Sequence, residues 1–438
     1  MKVMKFGGTS VGTPQRMKEV TELVTKSGDP VFVVLSAMSG TTNSLVEISD
    51  YLYKKNPEGA NTIMNQLEQT YVGHIEKLYQ TEEIKQKTLR FLHDEFDYLR
   101  SFTKVHFTSF EEKVILAQGE IISTNMVVNY LQECGVKALL INALDIIRTD
   151  KNAEPDMNYI KDRITKLLEA NPGYQIYLTQ GFICRNAYGE IDNLLRGGSD
   201  YTACLVGAAI GSEEIQIWTD IDGMHNNDPR FVEHTEPVRQ LYFEEAAELA
   251  YFGAKILHPT CIQPAKFARV PVRLLNTMDP KAPGTIINND FQRGVIKAVA
   301  ARDNNICIQI NSSRMLLAYG FLRKVFEIFE TYKTSIDMIC TSEVGVSVTI
   351  DNRAHLDDIV NELKKYGTVA VEEEMCIICV VGDLASDNVG FETIACEALK
   401  NIPVRMISYG GSAYNISFVV KAADKKRTLQ ALSDTLFK

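Results

Sequence analysis

Long apolar runs are scarce in this 438-residue chain. The longest near the N-terminus, VFVVL from Val31 followed by SAM, is far too short to cross a bilayer. No extended apolar core precedes it, so no secretory leader and no membrane partner is expected. Nine cysteines are too few, odd in number and too scattered for a disulfide framework, which points to a reducing, cytoplasmic compartment. Cys376 and Cys379 form a CxxC, but within the apolar run MCIICVV. In a strand, positions three apart face opposite ways and cannot share a metal. The seven histidines lack metal spacing such as HExxH, so no protein metal-ligand set is expected. Basic charge is also missing: the formal net charge is -10, which argues against a nucleic-acid partner. GxGxxG and GxxxxGK[ST] are both absent, so neither the dinucleotide nor the P-loop fingerprint applies.

What is present is an ordinary globular composition, 45% hydrophobic and 23% charged, in a chain long enough for several domains. Residues 1–290 alternate short apolar runs with helical patterns, indicating an α/β domain with a largely parallel sheet. Strands are expected at 2–6, 31–36, 136–142, 174–180, 215–220 and 270–276. Thr13-Pro14 reads as an N-cap and first helical residue, with Met17, Val20 and Val24 on one face. The charged segment from about 60 to 107 reads as one or two exposed helices, and a further helix should end at Gly135. The strands run into GGTS, SAMSG, QGF, DIDG and NTMDP. Ligands of open parallel sheets bind outside the carboxyl ends of the strands, so five such polar ends suggest a common site.

Beyond residue 290 the chain repeats itself. Residues 320–350 and 390–420 share spacing: Gly320-Phe321 matches Gly390-Phe391, Met338-Ile339 matches Met406-Ile407, and Ser347 matches Ser417. Two copies of an α+β unit are expected, over 291–374 and 375–438, able to stack on each other or on a second chain. The strand-like 295–301 precedes both copies and can join either sheet.

Several segments can carry chemistry. KFGGTS, from Lys5 to Ser10, joins a strand end, bare backbone and a cation, which is either a phosphate cradle or a tight turn with a solvated lysine. RGGSD, from Arg196 to Asp200, opens a small-residue helix. Arg196 can clamp a carboxylate or phosphate in a bidentate manner, while Ser199 or Asp200 can simply cap the helix. Glu120 stands in an apolar helical run, where it needs either an internal salt bridge or a ligand amine. Thr219 and Asp220 lead into a polar loop that suits a nucleotide or a plain hairpin. Lys255, in FGAKILHP, is structural or catalytic.

Taken in order, KFGGTSV (5–11), GEIIST (119–124), RGGSDYTA (196–203), WTDIDG (218–223), DPR (228–230) and FGAKILHP (252–259) resemble the aspartate kinases of the amino-acid kinase superfamily. The resemblance covers nearly the whole chain, and the C-terminal repeat resembles the family's tandem, ferredoxin-like ACT modules. It implies transfer of the ATP γ-phosphoryl group to the β-carboxylate of L-aspartate, with Mg²⁺, as the first step toward lysine, threonine and methionine. By the same resemblance Lys5, Arg196 and Asp200 are catalytic, and Ser36, Thr42, Glu120, Phe182, Arg196 and Ser199 bind the substrate. ATP falls to Lys5, Gly7, Gly8, Ser10, Thr219, Asp220, His225, Arg230 and Lys255. An effector amino acid is implied at Met315, Ala318, Phe321, Leu322, Ile336, Asp337, Thr341 and Glu343. The first copy is most similar to lysine-sensitive members, so lysine is expected ahead of threonine, in a homodimer joined through the ACT modules. With the sequence ending at 438, a monofunctional member without a homoserine dehydrogenase domain is expected. His225 stands where many members have tyrosine, Ala318 where relatives often have serine, and Cys184, Asn193 and Leu195 also depart from the usual pattern. A non-catalytic ACT sensor and a glutamate kinase are the alternatives.

Overall fold

The computed structural model describes residues 1–26, 28–194, 197–253, 258–312, 319–385 and 388–437. It divides into two compact units, Met1–Met224 with Leu257–Asn289, and His225–Ile256 with Asp290–Lys438.

In the first unit, the strands run in the spatial order Ala138–Ile141, Ile176–Gln180, Val31–Leu35, Lys2–Phe6, Ile215–Thr219, Val272–Asn276 and Thr285–Asn288. All neighbouring pairs are parallel except the last. The first strand of the chain is therefore central. Val31–Leu35 lies on one side of it and Ile215–Thr219 on the other, so the winding reverses at its carboxyl end. Such a switch point leaves a crevice beyond the strand ends, and here that crevice begins at KFGGTS. The run VFVVL is buried along its whole length, as expected of a strand covered on both faces.

Thr13 caps the helix Pro14–Thr25 by accepting from the Arg16 amide at 3.2 Å, with Pro14 in the first turn, and Met17, Val20 and Val24 are buried. The segment expected as exposed helices departs from that reading. Helices Pro57–Leu78 and Glu82–Ser101 each bury one face, through Met64, Leu67, Tyr71, Ile75 and Leu78, and through Leu92, Phe96 and Leu99. Their apolar residues recur every three or four positions, and the resulting stripe joins the main core, leaving only the charged face in solvent. Helix Ser109–Glu133 packs in the same core, opened by a Thr108–Glu111 capping box.

The second unit is built on an antiparallel sheet in the order Met338–Thr341, Gly345–Ile350, Ile296–Asn311, Thr368–Gly382, Asn415–Lys421 and Met406–Tyr409. Its two long strands shift register between Arg302 and Cys307, and this divides the sheet into two modules. Residues 306–311 pair with Gly345–Ile350 and serve the first copy, whereas 296–302 pair with 377–382 and serve the second. The strand that could have joined either sheet belongs to the second module. Separate apolar clusters follow, one around Ile308, Val325 and Val348, the other around Val299, Ile378, Phe418 and Leu429. The sequence repeat is structural. Gly320 and Gly390 both adopt left-handed conformations, with φ of 80° and 103°, and start helices Phe321–Thr331 and Phe391–Ala398. Cys376 and Cys379 are buried in the strand, all nine cysteines are free thiols, and no described helix is long and apolar enough to cross a membrane.

Because Phe96 is fully buried, Phe96→Ala should destabilise the protein by about 3–5 kcal/mol. Urea unfolding of the two forms checks it; a loss under about 1 kcal/mol would mean that this helix does not share the core.

Candidate active site

The crevice beyond the parallel strands holds a cavity of about 370 Å³. Its wall brings together Lys5, Gly8, Ser36, Thr42, Glu120, Phe182, Ser199 and Asp200, eight of the residues singled out in the sequence. Ser39, Gly40 and Asn43 complete one side; the SAMSG strand end marked their neighbourhood, but nothing in the sequence distinguished them individually.

Lys5 occupies the penultimate position of the central strand, and its Nζ lies 2.6 Å from Asp200 Oδ1. Both side chains are mostly buried, at 12% and 13% exposed, so each supplies the charge that the other would otherwise lack. Asp200 comes from the first turn of helix Gly198–Ile210, which follows Gly197 at φ 74°. The glycines allow this approach. A Cβ on Gly8 would lie 2.9 Å from the Ala37 carbonyl oxygen, and one on Gly198 would lie 2.7 Å from the Phe182 ring. Phe182 itself adopts φ 68°, costly for a bulky residue, and its amide donates to Thr202 Oγ1 at 3.1 Å. That strained turn sets the phenyl group into the cavity wall.

Glu120 is the other charged group in the wall. It is 4% exposed; Oε1 accepts from the Ala37 amide at 3.1 Å, and Oε2 is buried with no hydrogen-bond partner. No cation among the described residues pairs with it, so the internal salt bridge is not the arrangement found. Gly119 lets the helix come this close, since a Cβ there would meet that of Ala37 at 2.8 Å. Burial pushes the Glu120 carboxyl up to about 7, against the opposing pull of the Ala37 N–H.

Other expected site residues lie elsewhere. Gly7 and Ser10 are not in the cavity wall. Ser10 is fully buried, its Oγ 2.7 Å from Thr277 Oγ1. Thr219 donates to Asp220 at 3.1 Å at a strand end of the first unit. His225 and Arg230 belong to the second unit, where His225 Nδ1 is 3.0 Å from Thr235 Oγ1 and Arg230 forks onto Asp228. Cys184 is buried in the short strand Ile183–Arg185, its thiol pushed up to about 12 by burial. Asn193 donates to the Lys113 carbonyl at 3.4 Å. Of the effector set, Phe321 is buried at a helix start, Leu322, Thr341 and Glu343 are exposed, and Ile336 is half-buried. Asp337 is paired with Arg302. Arg196, Lys255, Met315, Ala318 and Leu195 lie outside the described residues.

Residues 1–276 match the amino acid kinase family, and residues 378–436 match an ACT domain. Aspartokinase 1, chloroplastic, of Arabidopsis thaliana is 35% identical over 458 residues, spanning 99% of this chain and 80% of that protein. Lysine-sensitive aspartokinase 3 of Escherichia coli (strain K12) is 31% identical over 447 residues, spanning 99% of both. The chain belongs to the aspartokinase family. E. coli aspartokinase III in complex with aspartate and ADP, described as the R-state, superposes over the whole of both chains with a TM-score of 0.85 and 32% identity. Its complex with lysine and aspartate, described as the T-state, gives 0.80 and 31%.

Glu120 yields a test in the ligand-free protein. Its folded-state carboxyl holds a proton between the usual glutamate range and about 7, where the unfolded chain is ionised. Folding therefore binds protons there, and stability falls as pH rises through that window. Glu120→Gln should be more stable than wild type at pH 8, by up to about 3 kcal/mol, with the gap closing toward pH 5. Urea unfolding at both pH values measures it; a pH-independent gap would contradict the buried, unpartnered carboxyl.

Proposed function

We propose that this aspartokinase transfers the γ-phosphoryl group of ATP to the β-carboxylate of L-aspartate in the Lys5–Glu120 cavity, giving 4-phospho-L-aspartate. The observation that carries this reading is the cavity's charge layout. An ammonium–carboxylate pair stands where the strands end, and a desolvated carboxylate with a free oxygen faces the same space.

A carboxylate acceptor has a reference pKa near 4, so it arrives ionised and needs no strong base. The demands are alignment and neutralisation of charge. Lys5 offsets charge on the transferring group, while Asp200 fixes the ammonium in place. Glu120 Oε2 receives the aspartate ammonium, which restores the ionised form that burial disfavours. Arg196 takes a substrate carboxylate, with Ser36, Thr42, Phe182 and Ser199 closing the pocket around it. Gly7, Gly8, Ser10, Thr219, Asp220, His225, Arg230 and Lys255 form the ATP set. Mg²⁺ is usually held by phosphate oxygens and only one or two carboxylates. Asp200, at the cavity wall beside Lys5, offers a carboxylate for that sparse demand. When bound, the ion neutralises phosphate charge. Lysine is the effector, taken by the first ACT module with Asp337 and Glu343 facing its ammonium groups, in a cytoplasmic homodimer joined through the ACT modules. Its two acids suit a second ammonium better than a threonine hydroxyl.

Lys5→Ala should lower kcat by ~10²-fold or more with little change in the KM for aspartate. Succinate, which lacks the amine, should be a very poor acceptor because it leaves Glu120 unpaired. Coupled ADP release with aspartate, glutamate and succinate checks both. Wild-type turnover by Lys5→Ala would remove Lys5 from the mechanism, and succinate matching aspartate in kcat/KM would refute the role of Glu120.

A further inference from the structure

The segment NNDPRFV, from Asn226 to Val232, falls within the stretch that matches the amino acid kinase family, yet it is built into the second ACT module. Three separate contacts fix it there. The Asn226 carbonyl accepts from the Val299 amide at 2.8 Å. Asn227, 3% exposed, donates through Nδ2 to the Leu429 carbonyl at 3.1 Å, in the helix Lys425–Leu436. Val232 is buried in the cluster around Val299, Phe418 and Leu429.

Phe231 packs against the same cluster, and Lys425 Nζ lies 4.0 Å from the centre of its ring. Lys425 is buried, and its Nζ also donates to Asp303 Oδ2 at 2.6 Å. Asp303 stands in the register shift of the long strand Ile296–Asn311. Asn304 adopts φ 62° there, and the buried Asn305 donates through Nδ2 to the carbonyls of Arg302 and Asp303, at 2.7 and 3.3 Å. The irregularity that divides the two modules thus also places the counter-charge of Lys425. Asp228, in turn, braces Arg230. Its Oδ1 accepts from the Arg230 amide and from Nε, both at 2.9 Å, and its Oδ2 accepts from Nη2 at 2.7 Å. Arg230 Cζ lies 5.9 Å from the centre of the Phe231 ring, yet the arginine side chain is 77% exposed. An exposed ion pair contributes little to stability, so the fold does not need this bracing. What it does is restrict a side chain that would otherwise lose rotamer freedom on meeting an anion.

We propose that the second ACT module is a fixed platform for a nucleotide-binding arm: Lys425 holds the Phe231 ring and Asn227 holds the loop, so that Arg230 presents Nη1, which Asp228 does not engage, to the phosphates of ATP. This rests on the reading of Arg230 as a nucleotide contact and adds the residues that set its position. Lys425, Asn227 and Phe231 touch no substrate in this scheme; they are positioning residues. A contact prepared in this way is made in the ground state and the transition state alike. Its loss therefore raises the KM for ATP and leaves kcat in place.

The test is steady-state kinetics of the full chain by coupled ADP release, with ATP and aspartate varied separately. It uses wild type, Arg230→Gln, Lys425→Met and the double variant, each confirmed as folded by circular dichroism. Lys425→Met keeps the apolar stem and removes the charge. It should raise the KM for ATP by about 5-fold or more, while kcat and the KM for aspartate stay within about 2-fold of wild type. Arg230→Gln should itself raise the KM for ATP. In that background Lys425→Met should add less than about 2-fold, because the two residues act through one contact. If Lys425→Met does not fold, Phe231→Leu, which stays apolar but loses the ring, is read by the same criteria. An unchanged KM for ATP overturns the platform and leaves Arg230 in the nucleotide site. So does a fall in kcat with both KM values unchanged, the mark of a smaller folded fraction, or an effect that persists in full beside Arg230→Gln. Arg230→Gln with the wild-type KM for ATP overturns the nucleotide reading of Arg230, and the platform falls with it.

Discussion

A lysine near the end of the central strand of a parallel sheet has little water to solvate it. Lys5 is tolerated there because Asp200 lies 2.6 Å away, and much of the catalytic unit is arranged to keep it so. The carboxylate must come from the first turn of a helix that begins at the rim of the crevice. That helix can start there only with glycine at 197 and 198, because Cys261 and Phe182 occupy the space a side chain would need. Phe182 in turn accepts a left-handed backbone to leave room. The chain of dependence runs from one buried charge to two glycines to one strained turn.

Glu120 shows the complementary situation. Its carboxyl is buried without a counter-charge, a state that costs stability unless something completes it. A structural core rarely leaves a carboxyl in this state. The same cavity therefore contains one satisfied charge pair and one unsatisfied group. The pair is complete within the folded chain, and the lone carboxyl is not.

The sequence made much of this legible because parallel strands buried on both faces read as unbroken apolar runs and end in polar, glycine-rich turns. VFVVL is such a run, and the polar ends GGTS, SAMSG, QGF, DIDG and NTMDP pointed to a common site. Glu120 and Asp200, by contrast, lie on helices and were assigned to it through the family resemblance. Helices Pro57–Leu78 and Glu82–Ser101 were harder to read, because high charge masks an apolar stripe of modest width. Strand 296–302 was ambiguous for another reason. Pairing partners far along the chain leave no local mark, and only the register shift at Arg302 shows which sheet takes it. Tyr251 and Arg302 gave no signal at all: an isolated tyrosine and an isolated arginine look like surface residues until the fold brings Asp337 between them.

That same strand has a consequence for how the protein is made. Residues 296–302 emerge from the ribosome before the first ACT module, yet their partners at 377–382 come after it. The first module, closed by residues 306–372, is thus an insertion within the second. It can complete its own sheet while the second still waits for three of its four strands, an order favoured when folding proceeds by domains during synthesis. Until residue 382 has been translated, the apolar face of KAVAA has no partner strand, so the nascent chain is most exposed to misassociation while the first module is being made.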